Sequence, residues 1–251
     1  MSVALPDATP IAFGVDPTRK ERFSLRQARY HEMGETVGRL LAQRPDNAGP
    51  LKLLDVGVWN GVSMRYLERQ AGAERIEFHG IDLQLQPDIY NRSKWSSLME
   101  GDLLDGFPHL ASHQFDVVIC EQVLEHLPHV ELAISTLCRL PKPGGTLIVG
   151  VPIFPPGIHL LRRSLVPMWD RVVGTKKTRG HLQAFSLGTF LRKLRRNGDV
   201  TIQSARGFRI LSGGVLRPLE NYRWWWQLGR ITGRLVPGLC TEVQVVAVKK
   251  G

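Results

Sequence analysis

Residues 51–61 read Leu51-Lys-Leu-Leu-Asp55-Val-Gly57-Val-Trp59-Asn-Gly61, an apolar run of strand length that breaks on glycine. A short, nearly continuous apolar run suits a strand buried on both faces, as in a parallel sheet. Glycines just past its end let the chain turn sharply and bring backbone N–H groups close to a ligand. A helical pattern follows from about Val62 to Ala71, so the unit opens as strand, turn, helix.

Outward from this stretch the alternation continues. Ile76–Ile81 reads as a second strand, Leu98–Met99 as a weaker third and Phe115–Cys120 as a strong fourth. Leu132–Leu140 is helical, and Thr146–Val151 follows the Pro-Lys-Pro-Gly-Gly turn as a fifth strand. Ser186 caps a helix through about Arg196; Val200–Ala205 and Glu242–Val248 are the last strands. Strand and helix alternating in this way predict a doubly wound, Rossmann-like α/β fold, a seven-stranded and mostly parallel sheet with helices on both faces.

Residues 1–45 form an N-terminal arm and helix, with Phe23, Leu25, Met33, Val37, Leu40 and Leu41 as a broken apolar stripe. Residues 46–251 form the sheet domain, interrupted at about 152–180 and 208–239 by two insertions expected to make a lid.

Ligands of such sheets bind beyond the carboxyl ends of the strands. Asp82 ends the second strand about 20 residues after the glycine turn, where a carboxylate accepts hydrogen bonds from two ribose hydroxyls. A plain strand-end cap is the other reading. Gly101-Asp102 ends the third strand, where Asp102 either reaches a purine amine or forms a turn. Cys120-Glu121 ends the fourth.

The series LLDVGVWNG, GID, EGDLLD, FDVVICEQVLEHLPH and LPKPGGTLIV resembles the class I S-adenosylmethionine-dependent methyltransferases, closely over about residues 50–151 and more loosely to 250. The segment Val-Leu-Glu125-His126 is similar to that of small-molecule methyltransferases of the ubiquinone-biosynthesis type. The resemblance implies an enzyme with S-adenosylmethionine as cofactor. Asp55, Gly57 and Gly61, with Val58 and Trp59 between them, would shape its methionine pocket. Asp82 and Leu83 would hold the ribose, Asp102 and Leu103 flank the adenine, and Cys120 and Glu121 line the floor beneath the methyl group. One position departs from the family's acid-x-Gly-x-Gly-x-Gly loop, whose middle glycine is here Trp59.

If the acceptor is a hydroxyl, a histidine general base suits neutral pH. Two candidates are expected. His126 either faces the substrate or braces the turn after the fourth strand. His181, in Gly180-His-Leu-Gln-Ala-Phe-Ser, resembles the family's His-x-x-x-Phe segment. The amine-directed Asn/Asp-Pro-Pro-Tyr segment is replaced by Cys-Glu-Gln-Val, which favours oxygen or carbon acceptors.

The 251 residues carry 33 Lys and Arg against 23 Asp and Glu, net +10, with 43% hydrophobic and 22% charged residues, an ordinary globular composition. The charge is uneven. Residues 1–159 hold 15 basic and 19 acidic side chains, net −4; residues 160–251 hold 18 and 4, net +14. Such a split predicts an anionic partner for the later part, or a solvated basic face. Between Trp224 and Leu235, Trp224, Trp225, Leu228, Ile231 and Leu235 fall on one side of a helical wheel, beside Arg223, Arg230 and Arg234. That pattern predicts either a lid or peripheral membrane contact. The expected partner is a small-molecule, glycan or lipid-linked anionic acceptor. Nucleic acid stays open as the partner of an RNA methyltransferase, as does a non-catalytic cofactor-binding protein at a membrane. No metal is expected. Three cysteines without paired spacing and an N-terminus without a secretory pattern point to the cytoplasm, with peripheral contact at the inner membrane surface.

Overall fold

The computed structural model describes residues 23–154, 183–210 and 214–251. The first insertion therefore lies almost wholly outside the described residues, as do His181 and the arm before Phe23. Seven strands form one sheet: β1 Leu51–Val56, β2 Ile76–Asp82, β3 Trp95–Glu100, β4 Phe115–Glu121, β5 Pro141–Pro152, β6 Val200–Phe208 and β7 Glu242–Lys249. Their spatial order is β3-β2-β1-β4-β5-β7-β6. The first five pair in parallel, and β7 inserts antiparallel between β5 and β6. This is the doubly wound, Rossmann-like sheet expected, with its order reversing between β1 and β4.

Alternate residues of the central strands feed two cores. On one face Leu54, Val56, Val118 and Leu147 pack against α3 (Val130–Arg139) and α4 (Leu187–Asn197), through Ile134, Leu137, Phe190 and Leu194. On the other, Leu51, Leu53, Val117 and Ile148 meet α1 (Ala28–Gln43) and α2 (Val62–Leu67), through Met33, Val37, Met64 and Leu67. Each such side chain, fully withdrawn from water, contributes about 1.5–3 kcal/mol, so burial on both faces explains the unbroken apolar strands. Ser186 caps α4 as expected, in a capping box with Thr189.

The differences lie at the ends. β3 begins at Trp95 rather than Leu98; as an edge strand it tolerates Ser96 and Ser97, which hid its start. β5 begins at Pro141, where it pairs with Phe115 before the register shifts. The helical pattern expected to reach Ala71 stops at Leu67 and turns through Gly72, whose φ is 81°. The second insertion folds as 3-10 turns around α5 (Arg223–Leu235), which packs on edge strand β6 and α1.

Candidate active site

The turn after β1 is held in left-handed backbone at Gly57, Trp59 and Gly61, with φ of 80°, 44° and 76°. At Gly57 a side chain would run into Val123 Cγ2, and at Gly61 it would crowd Ile89 Cγ2 and the Tyr90 backbone nitrogen, each at 3.2 Å. Trp59 takes a conformation that costs an L-residue about 1–2 kcal/mol, which explains why the resembling family places glycine there. Its indole is half exposed.

This turn is aimed at Asp82. The Trp59 N–H donates to Asp82 Oδ2 at 2.7 Å, and the Leu83 N–H to Oδ1 at 2.8 Å. Each oxygen retains a lone pair for a further donor, and Trp59 and Leu83 beside it are exposed. Asp55 lies beneath the turn, buried, and accepts from Ser63 Oγ. Burial pushes its carboxyl up to about 7, against the Ser63 hydrogen bond and with help from the Asp82 charge. Val58 is a core residue. Asp102 Oδ1 caps the turn after β3 by accepting from the Leu104 N–H at 2.8 Å, while Leu103 is buried beneath it. The turn-forming reading of Asp102 thus describes one of its oxygens.

At the end of β4 the side chains diverge. Cys120 points into the core on the α3 side, where burial first, then surrounding carboxylates, raises its thiol well above the ordinary value. Glu121 points to the opposite face. Its Oε2 lies 3.5 Å from Arg29 Nε, and its Oε1 accepts from Gln244 Nε2 at 2.7 Å. Any side chain at Gly150, its register partner on β5, would collide with it. The structure therefore does not bring Cys120 and Glu121 together on one open floor.

Other groups stand there instead. Gln122 adopts φ 58°, and its Nε2 is buried without a hydrogen-bond partner among the described residues. Val123 covers the Gly57 turn. Glu125 is buried, with Oε2 likewise unpartnered among the described residues, and burial pushes its carboxyl up to about 7. The half-exposed His126 imidazole has Nε2 3.8 Å from Glu125 Oε1. The described chain resumes at Gln183, whose backbone N–H donates to the Glu125 carbonyl and whose Nε2 donates to the carbonyls of Leu127 and Pro128.

In the sequence Glu125 stands within a motif without a role of its own, and Gln122, Val123, Ser63 and Arg29 are not among the expected site residues. Glu125 had a signal, an acid set between the apolar pairs Val123-Leu124 and Leu127-Pro128. Arg29 had none, since its partner Glu242 is 213 residues away.

Asp82, the glycine turn and the carboxyl ends of β1 to β4 suit an adenosine-bearing ligand: an anionic hydrogen-bond acceptor beside a side-chain-free backbone cradle. Residues 25–203 match a family described as methyltransferase domain. The ubiquinone biosynthesis O-methyltransferase of Klebsiella pneumoniae (strain 342) is 30% identical over 112 residues, 42% of this chain and 44% of that one. That of Azoarcus sp. (strain BH72) is 35% identical over 101 residues, 38% and 42% of the two chains. The chain thus spans less than half the length of the curated relatives it matches. A putative sarcosine dimethylglycine methyltransferase from Galdieria sulphuraria shares the fold, with TM-score 0.58 and 15% identity over 90% of this chain and 87% of that one.

Proposed function

The chain belongs to the methyltransferase-domain family, and on that premise we propose that it transfers the methyl group of S-adenosylmethionine to an oxygen of a small-molecule or lipid-linked acceptor. The observation that carries the reading is the Asp82 carboxylate, fixed by two backbone N–H groups at the open end of β2 with lone pairs to spare. There it accepts the ribose hydroxyls, while Asp102 flanks the adenine and the Gly57–Gly61 turn admits the methionine end. Bound in this place, S-adenosylmethionine supplies a methyl group already activated by its sulfonium.

The protein's own work is then alignment and exclusion of water, effects that supply several kcal/mol. An oxygen acceptor is supported by the O-methyltransferase relatives over this half of the chain. It is also supported by His126, exposed beside the buried Glu125, which takes the hydroxyl proton while the carboxylate steadies the imidazolium. His181 is the second candidate base.

Titration calorimetry with S-adenosylmethionine and S-adenosylhomocysteine tests the reading. Both should bind, and Asp82→Ala should weaken them by about tenfold or more through loss of charge-assisted hydrogen bonds. No heat at millimolar ligand, or unchanged affinity of the variant, would refute it. His126→Ala should lower kcat while leaving cofactor affinity alone.

A further inference from the structure

We propose that α5 is a membrane-resting helix, which lays its outer face on an anionic lipid surface. Trp225 and Trp226 are buried in a cluster with Leu25, Ala28 and Phe208. Gly229 brings the backbone against Leu25, ahead of α1, and Gly233 brings it against β6. A Cβ on Gly229 would lie 2.6 Å from Leu25 Cδ2, and one on Gly233 would run into the Gly207 carbonyl of β6. The helix is therefore locked in rotation by its smallest residues.

That lock sends larger apolar residues outward. Trp224, Leu228, Ile231 and Leu235 are 55%, 42%, 53% and 75% exposed. Their spacing of four, three and four places them within about 60° of the circumference, as one stripe. Val236 and Leu239 continue it past the helix end, both exposed. A helix that needed only to meet water would carry the reverse arrangement.

Charge narrows the partner. No Asp or Glu lies between Glu220 and Glu242, and both of those are buried. Beside the stripe stand Arg223, exposed, and Arg234, half exposed with Nη2 3.5 Å from Glu32. Arg230 turns away to Glu32 and Glu35 of α1, at 2.9 and 2.6 Å, so the expected three-arginine border is in fact two. Trp225, expected on the outer face, is in the core. What remains is an apolar stripe with Tyr222 and Trp224 at one end and a cationic edge, the pattern that sits at a headgroup boundary. A second copy would set the same cationic edges against each other. Nucleic-acid bases gain stacking from aromatic faces but nothing comparable from Leu228, Ile231 and Leu235.

The proposal is independent of methyl transfer and is tested without acceptor or cofactor. The full chain is mixed with phosphatidylcholine vesicles, with and without phosphatidylglycerol, and floated. Binding is expected only to the anionic vesicles, falling as salt is raised. Leu228→Ser, Ile231→Ser and Leu235→Ser together should weaken it by about tenfold or more, and Arg223→Glu by several-fold. An environment-sensitive probe on Ile231→Cys, which reads the contact with the other stripe residues intact, should shift to the blue with anionic vesicles alone. Equal binding to both vesicles, no probe shift, or full binding by the triple variant overturns it. So does a dimer that the triple variant dissociates, or salt-sensitive binding to RNA with none to vesicles.

Discussion

At the scale of single residues the site is built by carboxyl groups in contrasting surroundings. Asp82 is half-buried and met by two N–H donors, and its remaining lone pairs suit a ligand that donates hydrogen bonds, such as a pair of hydroxyls. Glu125 is withdrawn from water, its Oε2 has no donor among the described residues, and burial pushes it up to about 7. A carboxyl raised in the folded state favours folding while it is protonated, and that advantage is lost as pH climbs from the ordinary value of 4.5 through about 7. Glu125→Gln mimics the protonated form at every pH. Its stability relative to the parent should therefore rise between pH 5 and pH 8, by on the order of 2 kcal/mol, in urea unfolding at the two pH values. A pH-independent difference would mean that Glu125 titrates normally. The acid at Asp82 is legible in the sequence, but the burial of Glu125 is not. Glu125 and His126 are neighbours in the chain, and which of them is buried depends on the turn over which Gln183 closes.

At the scale of elements, α1 is the piece whose placement depends on buried charge. Arg29 Nη1 meets Glu242 of β7 at 2.7 Å, and its Nε faces Glu121 of β4 at 3.5 Å. Burial raises Glu121 to about 7 despite that cation. Burial also pushes Glu242 up, but Arg29 and Arg209 together hold it below its ordinary value. Arg29→Met keeps the stem, takes the cation from Glu121 and leaves Glu242 with Arg209 alone, at a cost of about 3–5 kcal/mol. Adding Glu121→Leu and Glu242→Leu should recover much of it, because a packed apolar triad carries no desolvation penalty. Chemical denaturation of the single and triple variants decides this, and a single variant within about 1 kcal/mol of the parent would show the network to be incidental. The apolar stripe of α1 was legible: Met33, Val37 and Leu41 are all buried. Its fastening was not, because an arginine in a helical pattern reads as a solvated one.

At the scale of the whole molecule, the last strand of the chain completes the sheet. β7 hydrogen-bonds to β5 on one side and β6 on the other, and it carries Glu242 to Arg29. Truncation before Thr241 therefore removes the partner of two strands at once. The expected result is loss of the cooperative thermal transition and of near-ultraviolet ellipticity; a sharp transition within a few degrees of the parent's would refute it. The uneven charge has a similar cross-chain logic. Arg206, Arg230 and Arg234, from the +14 part, all converge on Glu32 of the −4 part. Part of the apparent excess thus binds the two parts together, while among the described residues Arg192, Arg195 and Arg196 of α4 and Arg223 beside the α5 stripe face outward. No helix among the described residues is long and apolar enough to cross a membrane.

By itself the sequence determined the order and kind of the elements, the glycine turn after β1 and the acid at the end of β2. These follow from local rules, since a strand buried on both faces must be apolar throughout and a left-handed turn favours glycine. Only the tertiary structure decided the fate of Glu121, the core placement of Trp225 and the commitment of Arg230 to α1. Each depends on a partner roughly 100 to 200 residues away. Periodicity says which residues share a face, but only packing says what that face meets.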